Sequence, residues 1–310
     1  MSPQLVVFGD ALIDLPTSGN LEFRGFVSGS SLIVATAASR LGVPTALATR
    51  LGGDFFAEAI LEYVQNNGID LSLLERGPES TTLAFVLNEG GKTRYAFRNE
   101  NAADLLYAGE RTFPASAKAI HFGSIALLFE PGASRFLEQV RAQRGSCLVH
   151  FDPNVRPTLI PDRERYLEQF AGWLELAHWV KLSKEDLGFL CPQQDEADVA
   201  KEWLGRGPSV VVVTDGEEGA RLYRAGQEVL RVKPPKVPVV DTIGAGDTFS
   251  GATLVGLLER DLLTPQALHS APDSVLLEVL TLAARAAAFN CTRPVCDPPT
   301  KAELEAWQVK

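Results

Sequence analysis

Asp241-Thr242-Ile243-Gly244-Ala245-Gly246-Asp247-Thr248-Phe249 is the stretch on which the reading of this chain turns. It follows the apolar run Val237–Val240 and leads into Phe249–Leu258, a helical composition. The expectation is a strand that passes through a tight Gly-Ala-Gly turn into a helix N-terminus. Small residues let backbone approach a ligand, and the first-turn N–H groups lack intrahelical acceptors. Together with the positive end of the helix dipole, those donors suit an anion such as a phosphoryl group. Asp247 would stand beside that anion. A carboxylate repels a phosphate, but it can take the proton of a hydroxyl that attacks one. The segment therefore points to phosphoryl transfer to an alcohol.

Competing readings of the glycines are a tight connection with no ligand, a dinucleotide fingerprint or a Walker loop. The fingerprint needs Gly-x-Gly-x-x-Gly in an early strand-to-helix unit. Here the pattern comes late, and Phe249 holds the third glycine's place. Gly91-Lys92-Thr93 resembles the tail of a Walker loop, but Val86 stands where the leading glycine belongs. That triplet reads better as the turn of a hairpin between Thr82–Leu87 and Arg94–Arg98.

With 310 residues, 45% of them hydrophobic, the chain can bury a large core as one domain with a small appendage. A net charge of −10 argues against nucleic acid as a main partner. No apolar stretch is expected to approach the roughly 20 residues of a membrane span. The N-terminal residues enter a strand-like run, Leu5–Phe8, without a basic region and apolar signal core, so a cytoplasmic location is expected. Cys147, Cys191, Cys291 and Cys296 lack metal or redox spacing and read as reduced thiols.

Strand-like and helix-like segments alternate. Leu5–Gly9, Ala46–Arg50, Ala119–Gly123, Cys147–Asp152, Trp179–Leu182 and Val210–Thr214 read as strands. Leu32–Leu41, the segment from Asp54 to Gly68, and Leu276–Phe289 read as helices. This is the layout of an α/β fold with a doubly wound, mainly parallel sheet. Residues 15–28 and 82–98 break the alternation and are expected to form a small β lid on one 1–310 domain. Its exposed edge offers a homodimer contact, with a monomer as the alternative.

Several segments carry a family resemblance. Asp241–Asp247 matches the pattern Asp-Thr-x-Gly-Ala-Gly-Asp, and Gly9–Leu15 looks like a substrate-binding strand. Gly123-Ser124-Ile125 with Glu130-Pro131, the run Phe151–Pro157, and Val213-Thr214 with Gly216 and Gly219 add to it. On these residues the chain resembles the ribokinase-like (PfkB) carbohydrate kinases, most of all their fructokinase branch. The resemblance implies ATP and Mg²⁺, with a monovalent cation such as K⁺ as a further candidate. The implied reaction moves the γ-phosphate of ATP to a primary sugar hydroxyl, first of all fructose to fructose 6-phosphate. A 2-keto-3-deoxygluconate or nucleoside kinase is the alternative within the family, and a silent metabolite-binding homologue the alternative outside it.

Carried onto this sequence, the resemblance makes Asp247 the general base and Gly244, Ala245 and Gly246 the anion hole, with Arg156 adding positive charge. Asp14, Gly29 and Arg98 would join Asp247 in holding the sugar. Asp14 also reads, on its own, as a turn residue before Pro16. Thr214, Gly216, Gly219, Gly246, Asn290 and Asn154 would hold the nucleotide, and Asp186 would serve the magnesium region. Several positions depart from the family pattern. Ile33 replaces the asparagine of Gly-Gly-Ala-x-x-Asn, Asp186 replaces a glutamate, and Ala284 stands where an asparagine often lines the adenine side.

Overall fold

The structure is a computed structural model and describes residues 2–19, 21–89 and 92–308. Along the chain the strands are β1 (Leu5–Phe8), β2 (Leu12–Gly19), β3 (Glu22–Phe23), β4 (Phe26–Ser28), β5 (Thr45–Leu51), β6 (Leu74–Arg76) and β7 (Leu83–Glu89). They continue with β8 (Lys92–Arg98), β9 (Ala119–Gly123), β10 (Leu148–Asp152), β11 (Trp179–Ser183), β12 (Val210–Thr214), β13 (Ala220–Tyr223) and β14 (Leu230–Val232). The helices are α1 (Ser30–Arg40), α2 (Phe55–Asn66), α3 (Gly132–Gln143), α4 (Arg163–Leu176), α5 (Lys184–Leu190), α6 (Glu196–Leu204), α7 (Ala245–Glu259), α8 (Pro265–Ser270), α9 (Asp273–Cys291) and α10 (Lys301–Ala306).

The main sheet has the order β14-β13-β12-β11-β10-β9-β1-β5-β6. From β6 to β12 every neighbouring pair is parallel, and β13 and β14 add an antiparallel edge. Its central strands are buried on both faces because helices cover both. Leu5 and Val7 of β1 pack into a core with α1, α2, α7 and α9, whereas Val6 and Phe8 pack into a second core with α3, α4 and α6. In β12, Val210 and Val212 divide from Val211 and Val213 in the same way. The doubly wound expectation is met.

A second sheet, β3-β2-β7-β8 with β4 also on β2, stands off the main one. Its hairpin pairs Leu83 with Arg98 through to Glu89 with Lys92, so the Lys92-Thr93 part of the Walker-like triplet belongs to a hairpin strand. Gly91 itself lies outside the described residues. This sheet begins at Leu12, three residues before the expected lid, which places Asp14 within it, opposite Phe26 on β4.

Two expectations need correction. Val237–Val240 is no strand: residues 233–239 are irregular, and Val239 and Val240 are exposed. Pro234, Pro235 and Pro238 remove the donors a ladder needs, and the segment is anchored instead by the Val240 amide on the Cys291 carbonyl at 2.8 Å. The apolar content of α9 was also underestimated. At 19 residues and mean hydropathy 1.4 it has the length and composition of a span. Its Leu276, Val279, Leu280 and Ala283 are nevertheless fully buried in the core shared with α7.

Candidate active site

The site lies where the carboxyl ends of the central parallel strands meet the N-termini of α1 and α7 and the inner face of the small sheet, the usual position in open α/β sheets. Asp10, just past β1, is buried and organises α1: its Oδ2 accepts the Ser30 amide at 2.7 Å and its Oδ1 the Ser31 hydroxyl at 3.1 Å. Gly29 caps that helix at φ +120°, and a Cβ there would stand 2.6 Å from the Asp10 carbonyl oxygen. Only glycine brings the two chains this close.

Asp247 occupies the first turn of α7. Its Oδ1 accepts the Ser30 hydroxyl at 2.6 Å and the Asn154 amide nitrogen at 3.2 Å. Gly244 caps α7 at φ +72° with its Cα against the Cys296 side chain, again leaving no room for a Cβ. The Ala245 amide is spent on the Thr242 carbonyl at 3.2 Å. That corrects the expected anion hole, because the turn closes on itself there. The amides of Gly244, Gly246 and Asp247 meet no protein acceptor among the described residues and remain for an anion.

Beneath this turn lies a buried ion pair. The Lys181 ammonium donates to Asp152 Oδ2 at 2.8 Å, and the Ser250 hydroxyl donates to the same oxygen at 3.1 Å. The Lys181 Nζ would stand 3.0 Å from a Cβ on Gly246, so its charge sits directly behind the free amides. Burial alone would lower the Lys181 pKa, but Asp152's charge and hydrogen bond hold it above the ordinary value. Burial pushes the Asp247 carboxyl up to about 7; the Ser30 hydrogen bond pulls it down, Asp152 raises it, and Lys181 and Arg156 lower it. Asp14 is pushed up to about 6, again by burial, against a hydrogen bond from Ser28.

A narrow cavity is lined by Asp14, Gly29, Ser30, Arg156, Gly244 and Asp247, with Tyr95 and Phe97 of β8 above them. Arg156 donates to the side-chain oxygen of Asn154 at 2.7 Å and lies 5.3 Å from the Tyr95 ring centre. The structure thus brings Asp14, Gly29, Arg156, Gly244 and Asp247 together. Arg98 is not among them: on an alternating strand Tyr95 and Phe97 face the cavity, so Arg98 turns away, is exposed and donates to the Phe97 carbonyl.

Other assignments also move. Asn154, expected on the nucleotide side, donates to Ser30 and to Asp247. Asn290 is fully buried, donates to the Ile243 carbonyl at 2.9 Å and accepts the Asp297 amide at 2.9 Å, so it braces the turn. Gly219 packs against the Val232 carbonyl, while Gly216 is open on its Cβ side and Thr214 ends β12. Asp186 spends both oxygens on the amides of Val155 and Ser183 at 2.9 and 3.1 Å. It closes a capping box on α5 and is not presented to solvent as a free ligand. Ile33 is buried beside Gly244 and does not line the cavity.

Sequence reasoning missed Ser30, Asp10, Asp152, Lys181 and Tyr95. The signal for Lys181 was present, since a lone lysine between Val180 and Leu182 in a strand buried on both faces demands an anionic partner.

Free amides at a helix N-terminus, a half-buried carboxylate beside them and a polar cavity define an enzyme that transfers a phosphoryl group to an alcohol. The chain belongs to the pfkB family carbohydrate kinases, whose model matches residues 3–303. It is 34% identical to a fructokinase of Rhizobium leguminosarum bv. trifolii, over 86% of this chain and 85% of that one. It is 33% identical to probable fructokinase-4 of Arabidopsis thaliana, over 97% and 95% of the two chains. Among solved structures, fructokinase with bound ATP from Xylella fastidiosa superposes with a TM-score of 0.90 at 27% identity, covering 97% of each chain. A double mutant of Vibrio cholerae O395 fructokinase, solved with fructose, ADP and a potassium ion, gives 0.86 at 25% identity, covering 99% of this chain and 98% of that one.

Proposed function

We propose that this protein is an ATP-dependent fructokinase that phosphorylates the primary hydroxyl at C6 of fructose. The observation that carries the reading is Asp247, held at the rim of the cavity beside the free amides of Gly244, Gly246 and its own residue. In this reading Asp247 removes the hydroxyl proton as the oxygen attacks phosphorus. The amides, Arg156 and the charge of Lys181 stabilise the negative charge on the transferring group. Asp14 accepts hydrogen bonds from the sugar hydroxyls, and Tyr95 and Phe97 cover the sugar so that water does not compete as acceptor. The small sheet of residues 12–28 and 83–98 is thus a lid on a single domain.

ATP would run past Thr214 and Gly216 toward a hollow lined by Lys233, Pro234, Pro235, Thr281 and Arg285. Among the described residues no group of three or more His, Cys, Asp or Glu side chains forms a metal cage. That fits Mg²⁺, which keeps its waters and rests largely on substrate phosphates. Bound there it would neutralise phosphate charge. Asp186 would act near it by holding Val155 and the start of α5. A dependence on K⁺ and a cytoplasmic location, in keeping with four unpaired cysteines, complete the proposal. Exposed Phe23 and Leu87 on the lid support a homodimer through that sheet, which sedimentation velocity would detect.

The positive charge of Arg156 in the cavity wall favours a sugar acid as the competing substrate. An ADP-release assay with Mg·ATP over fructose, other neutral hexoses, 2-keto-3-deoxygluconate and nucleosides separates the two. Fructose is expected to give the highest kcat/KM. A clear preference for the sugar acid or a nucleoside overturns fructose, and no transfer to any of them overturns the kinase.

A further inference from the structure

Ser30 is the first residue of α1, and its hydroxyl touches the base. We propose that Ser30 is the positioning residue of the general base: held by Asn154, it fixes Asp247 Oδ1 and leaves Oδ2 as the oxygen that takes the sugar proton. The inference rests on the reading of Asp247 as base and goes beyond it.

The direction of the hydrogen-bond chain follows from donor and acceptor inventories. Arg156 donates to the side-chain oxygen of Asn154 at 2.7 Å, which turns the Asn154 NH₂ toward Ser30. That NH₂ donates to Ser30 Oγ at 2.7 Å and to Asp247 Oδ1 at 3.2 Å. With a lone pair occupied by Asn154, the single proton of the Ser30 hydroxyl goes to Asp247, at 2.6 Å. Oδ1 therefore accepts two hydrogen bonds, while Oδ2 has no protein donor among the described residues. Both ends of the chain are anchored. The Ser30 amide is tied to Asp10 at 2.7 Å, and the Asn154 amide to Asp152 at 3.2 Å. Asp247 is thereby held in one rotamer, the orientation that a near-attack geometry needs.

Ser30→Ala tests this in the full-length enzyme. Loss of one hydrogen bond to a charged group should lower kcat about 10- to 100-fold, with KM for ATP unchanged and the folded structure retained. Because the Ser30 hydrogen bond favours the ionised carboxylate, the acid limb of the kcat/KM profile should move to higher pH. The other groups facing this carboxyl, Asp152 from β10, Lys181 from β11, Arg156, Tyr95 from β8 and Cys296, are untouched by the substitution. Ser30→Thr keeps the hydroxyl and should restore most of kcat. A cycle of Ser30→Ala, Asn154→Ala and the double variant adds a measurement independent of that rescue. The double variant should lose much less than the product of the single losses.

Wild-type kcat and an unmoved acid limb in Ser30→Ala overturn the inference. So does a loss confined to the KM for sugar, or a cycle that is fully multiplicative. Those results in an enzyme that still phosphorylates sugar leave the fructokinase reading standing, whereas a wild-type protein that phosphorylates nothing removes the base itself.

Discussion

At Asp247 a single side chain carries opposite demands. Burial favours the neutral acid and pushes its pKa up to about 7, while a general base must be ionised. Ser30, Lys181 and Arg156 counter the burial, so the group stays poised near neutrality, where base catalysis is most effective. The rate must then rise with pH as the carboxyl ionises. We expect an acid limb in kcat/KM with its midpoint near 7 in the wild type, and Asp247→Asn folded but slowed at least about 100-fold with no such limb. A flat profile across neutral pH, or near wild-type turnover in Asp247→Asn, would remove Asp247 from the chemistry. This residue was legible because a carboxylate beside an anion-binding turn is a poor phosphate holder but a good proton acceptor. Ser30 was not: its hydroxyl matters only through a partner 217 positions away in the chain.

Elements were readable wherever local pattern and burial agree. The strands Ala119–Gly123 and Val210–Thr214 are mostly apolar and packed on both faces, and the Asp54 cap, which accepts the Ala57 amide at 2.9 Å, marks the start of α2. The approach to α7 was misread because β-branched residues suggested a strand, although three prolines forbid its ladder. In β8 the pattern of alternation was available, yet the resemblance drew Arg98 to the sugar when the pleat turns Tyr95 and Phe97 inward. Tyr95 also meets the Arg156 guanidinium, which joins lid to body. Tyr95→Ala should therefore raise the KM for sugar several-fold and increase ATP hydrolysis without sugar, because water gains entry. Arg98→Ala should leave both near wild type. Steady-state kinetics with and without sugar read the contrast, and equal effects from the two substitutions would discard the assignment of β8's inner face.

On the scale of the whole molecule, buried ionisable groups pull stability in opposite directions as pH changes. Burial lowers His121 and His178 to about 4 and lowers His150 as well. Between about 4 and the ordinary 6.5, the unfolded chain binds more protons at His121 and His178, so their contribution to stability grows with pH. Asp104 has the reverse sign. It is buried beside the base of the lid, accepts the Thr82 hydroxyl at 2.6 Å on one oxygen, and has no partner for the other. Burial first, then the charge of Asp10, raises it from 3.8 to about 7. Below 3.8 its stabilisation is fully present; above that the unfolded chain ionises first, and the contribution is lost as pH rises through about 7. Asp247 and Asp14 add to the same slope. None of this was read from the sequence: Asp104 stands among Ala102, Ala103, Leu105 and Leu106, but only the packed lid base makes it a buried acid. Asp104→Asn keeps a neutral polar group of the same shape and removes the titration. Its melting temperature relative to wild type should become more positive from about pH 5 to about pH 8, by several degrees. Differential scanning calorimetry of the two proteins across that range measures the difference directly, and an offset that does not change with pH would mean that Asp104 is ionised in the folded protein throughout.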